Sequence, residues 1–108
     1  DGFVQIDGFG FIVEVKWERE RSGRDIADIF RAKIERRSRV TQGLLITQAG
    51  IASTTLDTYS VQSPFMVVTG MEIYSVLDGR TDLRRMLETK KDHLSQTGSC
   101  FYDYLKQH

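Results

Sequence analysis

The sequence predicts an α/β domain, a mixed β-sheet flanked by helices, and three observations point there. Residues 1–17 alternate in character around Asp7-Gly8, a dipeptide that favours two-residue hairpin turns. Apolar residues recur at helical spacing from about Arg24 and again after Thr81. Two short apolar runs, Leu44-Leu45-Ile46-Thr47 and Phe65 to Thr69, are bounded by turn formers, as buried strands are. Strands that alternate with helices behind a leading hairpin indicate a layered α/β core. At 108 residues the chain fits a single domain, 1–108, with one core.

The elements follow in order. The hairpin occupies residues 1–17, and the polar stretch Glu18 to Gly23 reads as a loop. From about Arg24 to Ser38, Ile26, Ile29, Phe30 and Ile34 fall on one helical stripe, with Ser22 or Gly23 available as the cap. Gly43 opens the first buried strand. Residues 50–63, rich in Ser and Thr, are expected to hold a short helix, and Pro64 marks entry to the second buried strand. Met71 to Leu77 reads as a helical turn or two, closed by Asp78-Gly79. Thr81 then caps a helix to about Gln96 whose apolar face is Leu83, Met86, Leu87 and Leu94, with Gly98 as its stop. The aromatic tail, Phe101, Tyr102 and Tyr104, is expected to pack on the core.

Composition excludes several classes. With 40% hydrophobic residues, 28% charged and one proline, the chain is not disordered, and no internal repeat is visible. Its longest apolar runs are four or five residues, too short to span a membrane. No signal peptide is visible, and the abrupt start suggests that upstream residues are missing. Cys100 is the only cysteine, so no intrachain disulfide forms; this suits a cytoplasmic location, with Cys100 as a small buried hydrophobe. Net charge is zero, yet it is unevenly spread. From Lys16 to Arg39 there are nine basic and five acidic residues, a local +4, whereas the first fifteen residues carry only Asp1, Asp7 and Glu14. An acidic spot beside a basic segment suits metal-assisted phosphodiester chemistry, although such runs are also ordinary solvated helix faces.

A turn at Asp7-Gly8 sets the hairpin register. Ile6 faces Phe9, Val4 faces Phe11 and Gly2 faces Val13, which brings Asp1 opposite Glu14. Opposed residues have Cβ atoms roughly 4.5–5.5 Å apart, and Lys16, two residues past Glu14, shares its face. Val4, Ile6, Phe9, Phe11, Val13, Val15 and Trp17 form the other, packing face. Two adjacent carboxylates repel unless something offsets them. A divalent cation does this well, since hard Mg²⁺ takes carboxylate oxygens; the plainer alternative is that Lys16 neutralises one acid in a structural pair.

These residues resemble a known family. Asp1, then Phe11-Ile12-Val13-Glu14-Val15-Lys16-Trp17, is similar to the D…(D/E)xK signature of the PD-(D/E)xK, restriction-endonuclease-like nucleases, and looks closest to their bacterial Mrr-like branch. There the signature lies on a hairpin with a DG turn, followed by a basic helix and a "TxGLxIS" strand. Here Phe30, Lys33 and Arg36-Arg37 precede Thr41-Gln42-Gly43-Leu44-Leu45-Ile46-Thr47, and Val76-Leu77-Asp78-Gly79-Arg80-Thr81-Asp82-Leu83 is similar to a "VLxGRxDL" stretch of the same group. The resemblance covers nearly the whole chain.

It implies a three-layer restriction-endonuclease-like core and a metal-dependent endodeoxyribonuclease, in a restriction or defence setting. Asp1, Glu14 and the main-chain carbonyl of Val15 would hold Mg²⁺ or Mn²⁺, and Lys16 would serve the attacking water and the developing charge. DNA is the expected partner, and double-strand cutting by one site per chain would favour a homodimer. The alternative is a non-catalytic nucleic-acid-binding or assembly module on the same fold; an RNA or branched-DNA nuclease would share the metal chemistry. The sequence departs from the family in lacking the helix, often carrying a further acid, that normally precedes the Asp.

Other residues are weighed beside these. Asp7 is the rival metal ligand, although its place at the turn puts it an expected roughly 10 Å from Glu14. Gln5 shares the active face and is a candidate substrate contact or a plain polar edge residue. Lys33, Arg36 and Arg37 are candidate phosphate contacts, or, for the two arginines, a solvated helix end. His93 has no partner at ligand spacing and reads as a partly buried histidine, and Trp17 reads as core. No phosphate-loop pattern surrounds Gly79, and two histidines support no Ser-His-Asp arrangement.

Overall fold

The computed structural model describes residues 2–107. Strands β1 (Gly2–Ile6) and β2 (Phe9–Lys16) form the leading hairpin, followed by α1 (Arg24–Glu35), β3 (Gln42–Thr47), α2 (Ser53–Thr58), β4 (Phe65–Thr69), α3 (Gly70–Leu77), α4 (Leu83–Thr97) and α5 (Tyr104–Gln107). Asp7 and Gly8 both adopt positive φ, 52° and 82°, as a tight hairpin turn requires. The register is the expected one, Gly2 on Val13 through Ile6 on Phe9. Strand order is β1-β2-β3-β4, with β1 antiparallel to β2 and the remaining pairs parallel. Parallel neighbours need crossovers, which α1 and α2 supply.

Helices lie on both faces of the sheet. One core joins Ile12, Leu45, Phe65 and Val67 to Ala27, Phe30 and Ile34 of α1 and to Tyr59 after α2. The other joins Phe11, Leu44, Met66 and Val68 to Met86 and Leu94 of α4, with Ile73 and Val76 of α3 packed against it. The central strands, buried on both sides, are therefore almost continuously apolar. Gly43 lets α1 come close: a Cβ there would lie 2.4 Å from Ile34 Cδ1 and 2.7 Å from the Phe30 ring. The tail crosses the β4 edge, where Val67 N–H donates to the Cys100 carbonyl at 2.8 Å, and Tyr104 ends in the second core. No helix among the described residues is long and apolar enough to cross a membrane.

Several expectations are corrected. Phe9, Val15 and Trp17 belong to the α3/α4 face but are 53%, 53% and 44% exposed, because those helices cover the middle of β2 and not its ends. Trp17 is thus not core; it stands edge-on to Tyr74. Helix α1 stops at Glu35, and Ile29 is exposed because the buried stripe runs through Ala27, Phe30 and Ile34. Gly23 occupies its N-cap without a side-chain bond, while the Ser22 hydroxyl pairs with Thr47 Oγ1 at 2.8 Å. Asp82, not Thr81, caps α4 by accepting from Arg85 N–H; the Thr81 hydroxyl pairs with Ser75. Gly98 closes α4 in the left-handed conformation, as expected.

Candidate active site

Pairing of β1 with β2 ends at Gly2 and Val13, whereas β2 continues beside β3 through Lys16 on Thr47. Strand alternation puts Glu14 and Lys16 on the face of Ile12, towards α1. Asp1, the expected partner of Glu14, lies outside the described residues. Val15 pairs with Ile46 between them and turns its side chain to the opposite face.

Glu14 is 5% exposed, and its Oε1 accepts from Lys33 Nζ at 2.6 Å. Lys33 comes from the last turn of α1, one helical turn after the buried Phe30. Among the described residues, the cation that neutralises Glu14 is Lys33 and not Lys16; the other acid of the expected pair, Asp1, lies outside them. Lys16 is half-buried and has no ion pair with another described residue. Glu14 and Lys33 border a cleft of about 460 Å³, floored by Ile12 and Phe30 and bordered by Arg36 and Arg37. One buried carboxylate thus lies among three cations at the end of one helix, where the helix dipole also favours positive charge.

Sequence reasoning placed Lys33 on phosphate and missed its contact with Glu14. The available signal was positional: three residues after Phe30, it flanks the stripe that faces β2. Gln5 is not brought to the cleft. It pairs with Gly10, four residues along β2 from Glu14 and so roughly 13 Å away, and borders a separate cavity with Leu87 and Glu88. Asp7 is also more distant than expected. It lies beyond Phe9, itself roughly 16 Å from Glu14 along the strand, and its carboxylate is 3.5 Å from Lys91 Nζ. His93 is half-buried against Tyr102, and burial lowers its pKa. Cys100 is buried, which pushes its thiol up to about 12 and makes it a poor nucleophile.

No group of three His, Cys, Asp or Glu side chains among the described residues could hold a metal ion. What they supply in the cleft is one hard ligand. That carboxylate is already engaged, its Oε1 accepting from the Lys33 ammonium. A larger cavity, about 790 Å³, lies by α3 and the α4 N-terminus, bordered by Tyr74, Asp78, Arg80, Arg85 and Tyr104. It is larger but more ordinary chemically, since its charged groups are exposed and of both signs. The fold and the cleft together define an α/β domain with a mixed four-stranded sheet and a buried acid in a basic recess. No protein-family model, curated protein or solved structure matches the chain.

Proposed function

We propose that this domain is a metal-dependent endodeoxyribonuclease of the PD-(D/E)xK, restriction-endonuclease-like type, closest to the Mrr-like branch and acting in restriction or defence. The observation that carries the reading is Glu14, a carboxylate held almost out of water at the end of a DG hairpin, in a cleft rimmed by Lys33, Arg36 and Arg37. Its support from sequence is the ordered series of segments from the hairpin to Leu83. Glu14, Asp1 and the Val15 carbonyl would hold Mg²⁺ or Mn²⁺, which supplies polarisation of the phosphate and a more acidic water. Lys16, on the face of Glu14, orients that water and stabilises charge gathering on the phosphate oxygens. Arg36 and Arg37 hold flanking phosphates. The water oxygen bonds to phosphorus, one P–O ester bond breaks, and the leaving oxygen takes a proton.

The test is nicking of supercoiled DNA with Mg²⁺. Glu14→Ala and Lys16→Ala each lower the rate by about a hundredfold or more, the scale of losing a group that meets transition-state charge. Undiminished cleavage in both removes these residues from the mechanism. A second reading, a non-catalytic nucleic-acid-binding or assembly module, draws support from Lys33 already neutralising Glu14. It predicts salt-sensitive DNA binding without turnover and no rise in melting temperature with Mg²⁺.

A further inference from the structure

The two edges of the sheet are finished differently. The β4 edge is taken up by the chain's own tail, with Val67 N–H donating to the Cys100 carbonyl. Strand β1 is the other edge, and among the described residues nothing pairs with its outer side. Exposed edges are usually blunted by a charge, a proline or a covering segment. Here the edge reads Gly-Phe-Val-Gln-Ile, with neither charge nor proline. The hairpin decides which of its backbone groups are free. Ile6 and Phe9 flank a two-residue turn and therefore exchange hydrogen bonds. Gly2, Val4 and Ile6 are thus bonded to β2, while Phe3 and Gln5 turn their N–H and C=O groups outward. Beside this edge, on the α4 side, runs an apolar groove of about 290 Å³ between Val4, Ile6, Leu83 and Leu87. The charges on its rim are already answered, Arg84 by Glu88 at 3.6 Å and Asp7 by Lys91 at 3.5 Å.

We propose that β1 is the docking edge for a second copy of this chain, paired antiparallel with its own β1 about a two-fold axis through Val4. The strand is complementary to itself in that register. Phe3 exchanges both backbone hydrogen bonds with Gln5 of the partner subunit, Gln5 does the same with the partner's Phe3, and the two Val4 residues meet as a non-hydrogen-bonded pair. Val4 and Ile6 lie on the face of Leu83 and Leu87, so the apolar residues of one copy close the groove of the other. Phe3, 61% exposed in the single chain, is covered on the opposite face beside the partner's Gln5. An uncharged strand and a neutral rim set no like charges against each other across the axis. The same features suit nucleic acid poorly, because phosphate contacts need unpaired cations. Two four-stranded sheets thereby become one continuous sheet. Its two-fold axis is perpendicular to the strands and to the sheet, so both Glu14 clefts face the same side of the dimer.

The experiment is light scattering of the protein as it leaves a size-exclusion column, at rising concentration and without metal or DNA, so that its outcome is independent of the nuclease reading. Wild type elutes with the mass of two chains. Gln5→Pro removes an outward N–H and leaves the bonds to β2 in place. It elutes with the mass of one chain and an unchanged circular dichroism spectrum. Should that variant fail to fold, Val4→Cys decides. Across the axis its two Cβ atoms stand about 4.5–5.5 Å apart, close enough for a small shift to seal a disulfide. The thiols of Gln5→Cys are offset from one another on the other face, and the native Cys100 is buried. Under mild oxidation Val4→Cys therefore forms a linked dimer about tenfold or more faster than Gln5→Cys. Equal crosslinking rates in the two cysteine variants overturn the proposal. So does a wild type with the mass of one chain at every concentration, and so does a two-chain mass that survives in folded Gln5→Pro, which assigns the dimer to another surface.

Discussion

Glu72 and Lys90 sit where two helices and the tail meet, and their contacts reach all three. Glu72 Oε1 accepts from Thr69 N–H to complete the capping box of α3, Oε2 accepts from Tyr104 N–H, and Lys90 Nζ lies 4.7 Å from the Phe101 ring centroid. Burial lowers the Lys90 pKa against the opposing pull of Glu72, so the fold tolerates this ammonium only because its partners are in place. Lys90→Met leaves a sealed carboxylate without its cation and should cost about 3–5 kcal/mol in urea unfolding. Lys33→Gln, at a pair open to water, should cost about 1 kcal/mol or less. Equal losses from the two would show that the exposure of Lys33 does not weaken its hold. Neither buried charge was anticipated, although the spacing that makes Met86 and Leu94 core also selects Lys90, and Thr69-x-x-Glu72 has the form of a capping box. The acid and lysine of the hairpin were legible from alternation alone. The choice of Lys33 over Lys16 was not, because it depends on how closely α1 approaches the sheet.

That approach is settled between elements. Helix α1 rests on β3 at Gly43, and the same helix carries Lys33 to Glu14. Gly43→Ala removes the flexibility cost of glycine in a strand, a gain of about 0.5–1 kcal/mol. It also drives a methyl group into Ile34 and Phe30, and overpacking of this kind costs about 1–3 kcal/mol. The expected result is net destabilisation of about 1–2 kcal/mol by urea unfolding, with α1 pushed off the sheet and the Lys33 to Glu14 contact lengthened in a crystal structure of the variant. A variant as stable as wild type would mean that Ile34 has room to rotate away. The order of elements was readable because each period, two or 3.6, persists over enough residues to stand out. Their ends were not. Ser22 beside Gly23, and Thr81 beside Asp82, offer neighbouring residues that cap nearly as well, and tertiary bonds to Thr47 and Ser75 take one of each pair away.

The molecule as a whole closes both of its cores with its C-terminal segment, Cys100 and Phe101 on one side and Tyr102 and Tyr104 on the other, which the sequence showed only as an aromatic tail. Cys100 N–H donates to the Tyr59 carbonyl at 2.9 Å, and both side chains lie in the core against α1. Each is an acid kept protonated by the fold. Burial raises the Cys100 thiol from 9.0 to about 12, and burial together with the hydrogen bond to Asp28 raises the Tyr59 hydroxyl from 10.0 to about 12. Below pH 9 both groups are protonated whether the chain is folded or not, and they leave stability unchanged. Between about 9 and 12 the unfolded chain releases these protons while the native state retains them, so stability falls as pH rises. Lys90 acts in the opposite sense, because its lowered pKa makes the unfolded chain the better proton binder at alkaline pH. Wild type should therefore lose stability through this window, and Cys100→Ala should remove the thiol contribution. Its urea midpoint starts lower at neutral pH, from the lost packing, and then declines less steeply above pH 9. Parallel curves for the two proteins would mean that Cys100 ionises inside the fold, and with it that the C-terminal segment opens well before the rest of the molecule does.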